Sequence, residues 1–224
     1  MTRGKLVVFE GTDGSGKGTQ LALLVRHLQN KNIPFATLDF PRYSESFFGD
    51  LAGKMLMGEL GPVEHIPPKL AVLPFACDRW LSKKDMDTWR DQGKIVVSNR
   101  YTASSAVYHA ARLPEKEQQQ FIDWVVKLEQ EIIGLPAPDM TIFFHVPVAV
   151  SQKLMEERET LTSKKKDMYE KDLRMLQTVE ELYGTLGSRL LNWKVIECTK
   201  AETMRSREEI HKEVLDVLTQ NGIL

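Results

Sequence analysis

The sequence predicts an α/β fold in which a five-stranded parallel sheet is covered by helices on both faces. Three observations carry that expectation. Short apolar runs alternate with longer amphipathic stretches along the 224 residues. Strands joined by helical crossovers lie parallel, with the crossovers covering both faces. A glycine-rich turn, Gly11-Thr12-Asp13-Gly14-Ser15-Gly16-Lys17, directly follows the first apolar run. Polar motifs also stand just after the strands, where open α/β sheets bind their ligands.

The elements follow in order. Lys5–Glu10 is a buried strand, and Lys17–Asn30 carries Leu21, Leu24, Val25 and Leu28 at the spacing of an amphipathic helix. Phe35–Phe40 reads as a second strand, stopped by Pro41. Phe47–Gly58 reads as a helix. Pro67–Asp91 reads as one long helix opened by two prolines and kinked at Pro74. Ile95–Asn99 is the third strand. Ser104–Ala111 and Pro114–Gly134 are helices, the second with Phe121, Val125, Leu128 and Ile132 on one face. Met140–Val146 and Lys194–Cys198 complete the strands, with helices over Met168–Leu186 and Met204–Leu218. No repeat or linker divides the chain, so a single domain over residues 1–224 is expected.

The turn after the first strand has the spacing of a phosphate-binding loop. Gly11, Gly16 and Lys17 meet G-x-x-x-x-G-K, and the ATP contacts are expected over Gly11, Thr12, Asp13, Gly14, Ser15, Gly16, Lys17, Gly18 and Thr19. Amides of such a turn point at phosphate oxygens, the helix start adds its dipole, and Lys17 reaches the terminal phosphates. Gly18 stands where Ser or Thr commonly helps hold magnesium.

Net charge is −1, which gives no reason to expect a nucleic-acid partner. No apolar stretch is long enough to span a bilayer. The first strand begins almost at once, which leaves no room for a signal peptide. Two cysteines, Cys77 and Cys198, form neither a metal motif nor a disulfide framework, and a cytoplasmic setting is expected. No side-chain metal ligands are assigned.

Four further segments narrow the reading: Phe40-Pro41-Arg42-Tyr43, Phe75-Ala76-Cys77-Asp78-Arg79, the run from Asn99-Arg100-Tyr101 through Ser104-Ser105 to Tyr108, and Gly134–Asp139. With the loop at 11–17, this set closely resembles the thymidylate kinase family, in order and from about residue 5 to the last helix. The resemblance implies a P-loop kinase fold with a mobile lid. It implies phosphorylation of dTMP to dTDP by ATP and Mg2+; because Gly18 lacks the loop hydroxyl and Asn99 the charge, Mg2+ is expected to be held mainly through ATP phosphates and water. It also implies a homodimer packed through helices.

The resemblance places Phe75 against the thymine face and Arg79 near its exocyclic oxygen, with Ser104 and Ser105 at the base's polar edge. Tyr108 would lie under the deoxyribose, where a 2′-hydroxyl would collide. Asp13 would accept the acceptor's 3′-hydroxyl. Phe40, Pro41, Arg42 and Arg100 would complete the dTMP site. Arginines suit that task because a planar guanidinium grips phosphate with two donors. From the residues alone, Phe75 and Tyr108 also read as core, Arg79 as a local ion pair with Asp78, and Arg42 as solvated.

Catalysis is expected from Lys17, Arg100 and Asp13, with a transition-state cation from the polar stretch Glu156–Asp167, a lid at about 156–168. Position 14 is Gly, so the phosphate loop supplies no such cation; the lid offers Arg158 and Lys164, Lys165 and Lys166, with Arg158, Lys165 and Lys166 favoured. Asn99 stands where the family usually has Asp, and His109 where it usually has Gln. The alternatives are a dUMP or purine monophosphate kinase of the same fold and a non-catalytic nucleotide-binding module. A regulatory GTPase is disfavoured, because Glu202 replaces the guanine-reading Asp after Thr199-Lys200-Ala201.

Overall fold

A computed structural model describes residues 2–162, 169, 172–201 and 203–224, except the side chains of 157–162. Five strands form one parallel sheet: β1 (Leu6–Glu10), β2 (Phe35–Asp39), β3 (Ile95–Asn99), β4 (Met140–His145) and β5 (Trp193–Glu197), in the order β2-β3-β1-β4-β5. All neighbours are parallel, so β1 lies at the centre with β3 and β4 beside it. The strand order reverses at β1, where a crevice opens outside the carboxyl ends.

The central strands are apolar on both faces, as a sheet covered on both sides requires. Val7, Phe9, Ile142, Phe144 and Ile196 pack against Leu24 and Leu28 of α1 (Lys17–Asn30) and Val214 and Leu218 of α9 (Arg207–Gln220). Leu6, Val8 and Val96 face the other way, towards Met86 of α4 (Leu73–Asp91). The same side carries α2 (Phe47–Leu56), the short α3 (Pro68–Ala71), α5 (Thr102–Ala110), α6 (Glu115–Val126) and α8 (Leu173–Arg189).

The boundaries differ from the sequence expectation where local chemistry intervenes. The expected helix at 67–91 is two pieces, α3 and α4, that meet at Val72 just before the N–H-less Pro74. The helix expected over 114–134 passes into a π-helical turn at Lys127–Ile132. The last helix starts at Arg207 rather than Met204. Ser206 caps it, accepting from the Glu209 amide while Glu209 answers through its carboxylate, and a small hairpin of β6 (Thr199–Lys200) and β7 (Thr203–Met204) fills the preceding residues.

The polar stretch 156–167 was expected as a loop or lid. The structure instead extends α7 (Val148–Thr162) through its first half, and that helix was not foreseen. Lys164, Lys165 and Lys166 lie outside the described residues, as does the side chain of Arg158. Helix α8 begins at Leu173, capped by Asp172, rather than at 168.

Beside α7, His145 at the end of β4 lies between two carboxylates. Its Nε2 is 2.7 Å from Glu180 of α8 and its Nδ1 is 2.6 Å from Glu197 of β5. The Glu180 contact first, then Glu197, raises its pKa to about 9. Glu180 also accepts from the Val148 amide at 3.0 Å, which fixes the start of α7.

Candidate active site

Lys17 ties the phosphate loop to itself. Lys17 Nζ donates to the carbonyls of Gly11 at 2.9 Å and Thr12 at 2.7 Å, and to Ser15 Oγ at 3.3 Å. Burial first, then the Arg100 charge, lowers the Lys17 pKa to about 7. Gly14 sits at φ 81, and a Cβ there would come within 2.8 Å of the Ser151 carbonyl of α7. The loop packs too closely on α7 for a side chain at that position.

A cavity of about 360 Å³ opens beside the loop at the carboxyl end of the sheet. Among the sequence-predicted residues, Asp13, Phe40, Pro41, Phe75, Arg79, Arg100, Ser104, Ser105 and Tyr108 line it. Arg42 does not. The lining residues come from the loop after β1, the turn after β2, α4, the turn after β3, and α5, and Gly53 and Leu56 of α2 add to them.

Each of the three arginines is held by a carboxylate. Arg42 donates from its amide and Nε to the two oxygens of Asp78, at 2.8 and 3.0 Å, and Ser46 Oγ adds a third donor at 2.5 Å. Gly49 makes this possible, because a Cβ there would meet the Arg42 carbonyl at 2.2 Å. Arg79 is not paired with Asp78, its chain neighbour. It makes a two-pronged bridge to buried Glu129, with Nε to Oε2 at 2.9 Å and Nη2 to Oε1 at 2.6 Å. Adjacent residues on a helix point about 100° apart, so Asp78 and Arg79 face different partners. Arg79 Nη2 also donates to Ser105 Oγ at 2.6 Å, and Thr102 Oγ1 donates to Glu129 at 2.7 Å.

Arg100 stands where loop and cavity meet. Its Nη2 donates to Asp13 Oδ2 at 2.7 Å, and its guanidinium lies 5.2 Å from the centre of the Tyr108 ring. Tyr108 OH is 3.5 Å from the same Asp13 oxygen. Ser104 lines the cavity, but its hydroxyl is committed to neighbours. Its Oγ donates to Glu10 Oε2 at 2.5 Å and accepts from Arg100 Nη1 at 3.1 Å. Phe75 packs edge-on against His109, with ring centres 5.5 Å apart.

The sequence reading assigned no role to several residues of this site. Glu129 lies on the π turn, whose wider bend brings it to Arg79. His109 Nδ1 is 3.2 Å from Tyr169 OH, and Tyr169 packs on Tyr108 with ring centres 5.9 Å apart and lines the cavity. Burial, then Arg112 and Arg79, lower the His109 pKa to about 3, so this ring is neutral at ordinary pH. A buried Glu or Tyr within a helical pattern gives no sequence sign of its partner. The one available signal was that Glu129 shares a helical face with Val125 and Leu128, which buries a charge.

The family model for thymidylate kinase matches residues 9–214. The thymidylate kinase of Mycobacterium tuberculosis is 33% identical over 189 residues, which covers 82% of this chain and 86% of that protein. The human thymidylate kinase is 27% identical over 221 residues, covering 99% of this chain and 92% of its own. A solved structure of thymidylate kinase from Candida albicans superposes with a TM-score of 0.77 at 21% identity, covering 99% of this chain and 93% of that one, and so supports the fold. With the family model matched over residues 9–214 and a relative 33% identical across 82% of this sequence, the chain, with its phosphate loop and lined cavity, belongs to the thymidylate kinase family.

Proposed function

We propose that this protein transfers the γ-phosphoryl group of ATP to dTMP, giving dTDP. The observation that carries the reading is the Asp13–Arg100 pair. It joins the phosphate loop to the lined cavity, so one guanidinium reaches towards both nucleotides. Phosphoryl transfer needs two anions held in line with little covalent chemistry from the protein, and positioning with charge stabilisation supplies that.

In this reading ATP takes residues 11–19, and its phosphates draw Lys17 off the loop carbonyls. Phe75 lies against the thymine, Arg79 and Ser105 meet its polar edge, and Tyr108 underlies the sugar. Asp13 accepts the 3′-hydroxyl, while Arg42 and Arg100 meet the acceptor phosphate. Residues 1–224 act as a single domain in the cytoplasm, with the lid at about 156–168 delivering Arg158, Lys165 or Lys166 to the transferring group.

Mg2+ fits the carboxyl edge of β2 and β3. Asn99 Nδ2 donates to Asp39 Oδ1 at 2.8 Å, which fixes the amide's orientation, because a carboxylate only accepts. Asn99 Oδ1 is then left buried with no partner among the described residues, an oxygen suited to a water of a hydrated ion. Asp39 and Asn99 would hold the ion through its waters while ATP phosphates bind it directly. When bound, it neutralises charge on the phosphates.

Exposed apolar side chains support a homodimer. Leu73, Trp80 and Leu81 lie on one face of α4, with Leu70 on the neighbouring α3. Light scattering should report twice the chain mass, and Trp80→Glu should halve it. A monomeric wild-type protein would contradict the assignment.

ADP release across nucleoside monophosphates tests the acceptor. dTMP should turn over fastest, dUMP more slowly, and AMP, GMP and CMP poorly. A purine monophosphate that outpaces dTMP rejects the reading. In the same assay, Arg158→Ala, Lys165→Ala or Lys166→Ala should lower kcat more than it raises KM for ATP. Near-normal kcat in all three, and in the triple variant, removes the lid from the mechanism.

Lys17 gives a pH signature. Its lowered pKa, about 7, means that the free ammonium has lost its proton by pH 8. Triphosphate beside it restores the charge, so ATP binding at pH 8 should take up about one proton. Binding enthalpies in buffers of different ionisation heat measure this, and Lys17→Met should abolish it. Absence of uptake in the wild-type protein contradicts the lowered pKa of Lys17.

A further inference from the structure

Glu10 ends β1, immediately before the phosphate loop, and its side chain is wholly buried. Among the described residues it makes no ion pair within 4.0 Å, yet it collects four donors. The amides of Tyr101 at 2.9 Å and Ser104 at 3.2 Å reach Oε1, while Ser104 Oγ at 2.5 Å and Tyr183 OH at 2.9 Å reach Oε2. Burial pushes its carboxyl pKa up, and the Ser104 bond, the Arg100 charge and the Tyr183 and Tyr101 bonds oppose that.

Three of the four donors belong to the turn that carries Arg100. Arg100 has φ 61, in the left-handed region that any residue with a Cβ enters at a cost. Its own amide donates to the Phe9 carbonyl at 2.8 Å, and its carbonyl accepts from Ser98 Oγ at 2.7 Å. The following amide, Tyr101, goes to Glu10. Tyr101 is also the N-cap of α5 and offers no side-chain cap, so the carboxylate of Glu10 caps that helix from the neighbouring strand. At its other end, Arg100 Nη1 rests on Ser104 Oγ, the hydroxyl that donates to Glu10. One carboxylate therefore fixes both the backbone turn beneath Arg100 and one side of its guanidinium.

We propose that Glu10 is the positioning residue of Arg100: through Tyr101 and Ser104 it holds the guanidinium aimed across the boundary between loop and cavity. This rests on the reading of Arg100 as a contact of the transferring or acceptor phosphate. A carboxylate with no direct ion pair costs stability to bury, and hydrogen bonds from its four donors are what offset that cost. The arrangement makes sense when the donors it organises have a task elsewhere. Tyr183 brings α8 to the same carboxylate, so the helix after residue 171 shares the anchor.

The test is a double-mutant cycle between Glu10→Gln and Arg100→Ala, with dTMP and ATP varied separately. Gln keeps the volume but faces an NH2 group towards the donors. Alone, Glu10→Gln should lower kcat about 10- to 100-fold through misplacement of the guanidinium, with KM for ATP unchanged within about twofold. In the Arg100→Ala background it should cost nothing further. Ser104→Ala, which removes only the bridging hydroxyl, should follow the same pattern and stands in if Glu10→Gln does not fold. A merely structural role predicts the reverse, with a lowered Tm and rate losses that multiply in the Arg100→Ala background. That result overturns the proposal. If Arg100→Ala alone keeps full activity, the reading of Arg100 itself fails, a different outcome from multiplicative losses.

Discussion

Positive charges brought close together at and beside one cavity repel one another, and the site depends on how the fold opposes that repulsion. Arg42, Arg79 and Arg100 each meet a carboxylate from another element: Asp78 from α4, Glu129 from the π turn after α6, and Asp13 from the phosphate loop. Asp78 and Glu129 are fully buried, and each takes several donors, so their desolvation is offset by hydrogen bonds and by the paired charge. The pairs also fix the guanidiniums in orientation, which a mobile lysine would not allow. Asp13–Arg100 is the most exposed of the three, and it faces the cavity where an anion competes for the same donors.

This constraint links sheet to site. The reversal of strand order at β1 places the ends of β1 and β3 side by side, with Phe9 paired to Asn99. Glu10 and Arg100 then fall at adjacent strand ends, and the loop, the α5 start and the arginine turn become one hydrogen-bonded unit. On the far side of β1, β4 runs into α7, which packs against Gly14 closely enough to exclude a side chain there. The loop's conformation and the helix leading towards the expected lid are therefore coupled through packing.

Much of the fold was legible in the residues. The loop spacing and the alternation of apolar runs gave all five sheet strands: β1, β3 and β4 are short, buried and largely apolar, while the edge strands β2 and β5 are partly exposed and carry shorter apolar runs. Helix α7 was missed although Val148, Ser151 and Met155 mark its buried face at helical spacing; its continuation, Glu156–Thr162, is a polar run that reads as solvated. The start of α9 was misplaced although Ser206 and Glu209 carry a capping pair. The cavity lining was legible through motif order, whereas the partners of its arginines were not. Glu129 is 50 residues from Arg79, and only the tertiary fold joins them. The adjacency of Asp78 and Arg79 pointed to the wrong pair, since neighbouring side chains diverge around a helix.

The central claim is that carboxylate-held arginines form an anion site at the cavity, ready for the phosphate of the acceptor. Calorimetric binding of dTMP and of thymidine, which lacks only that phosphate, tests it most directly. Charge-assisted hydrogen bonds to a phosphate predict at least about tenfold tighter binding of dTMP, with the gap narrowing as salt rises. Equal affinity for the two, or a gap that salt leaves unchanged, would contradict the account.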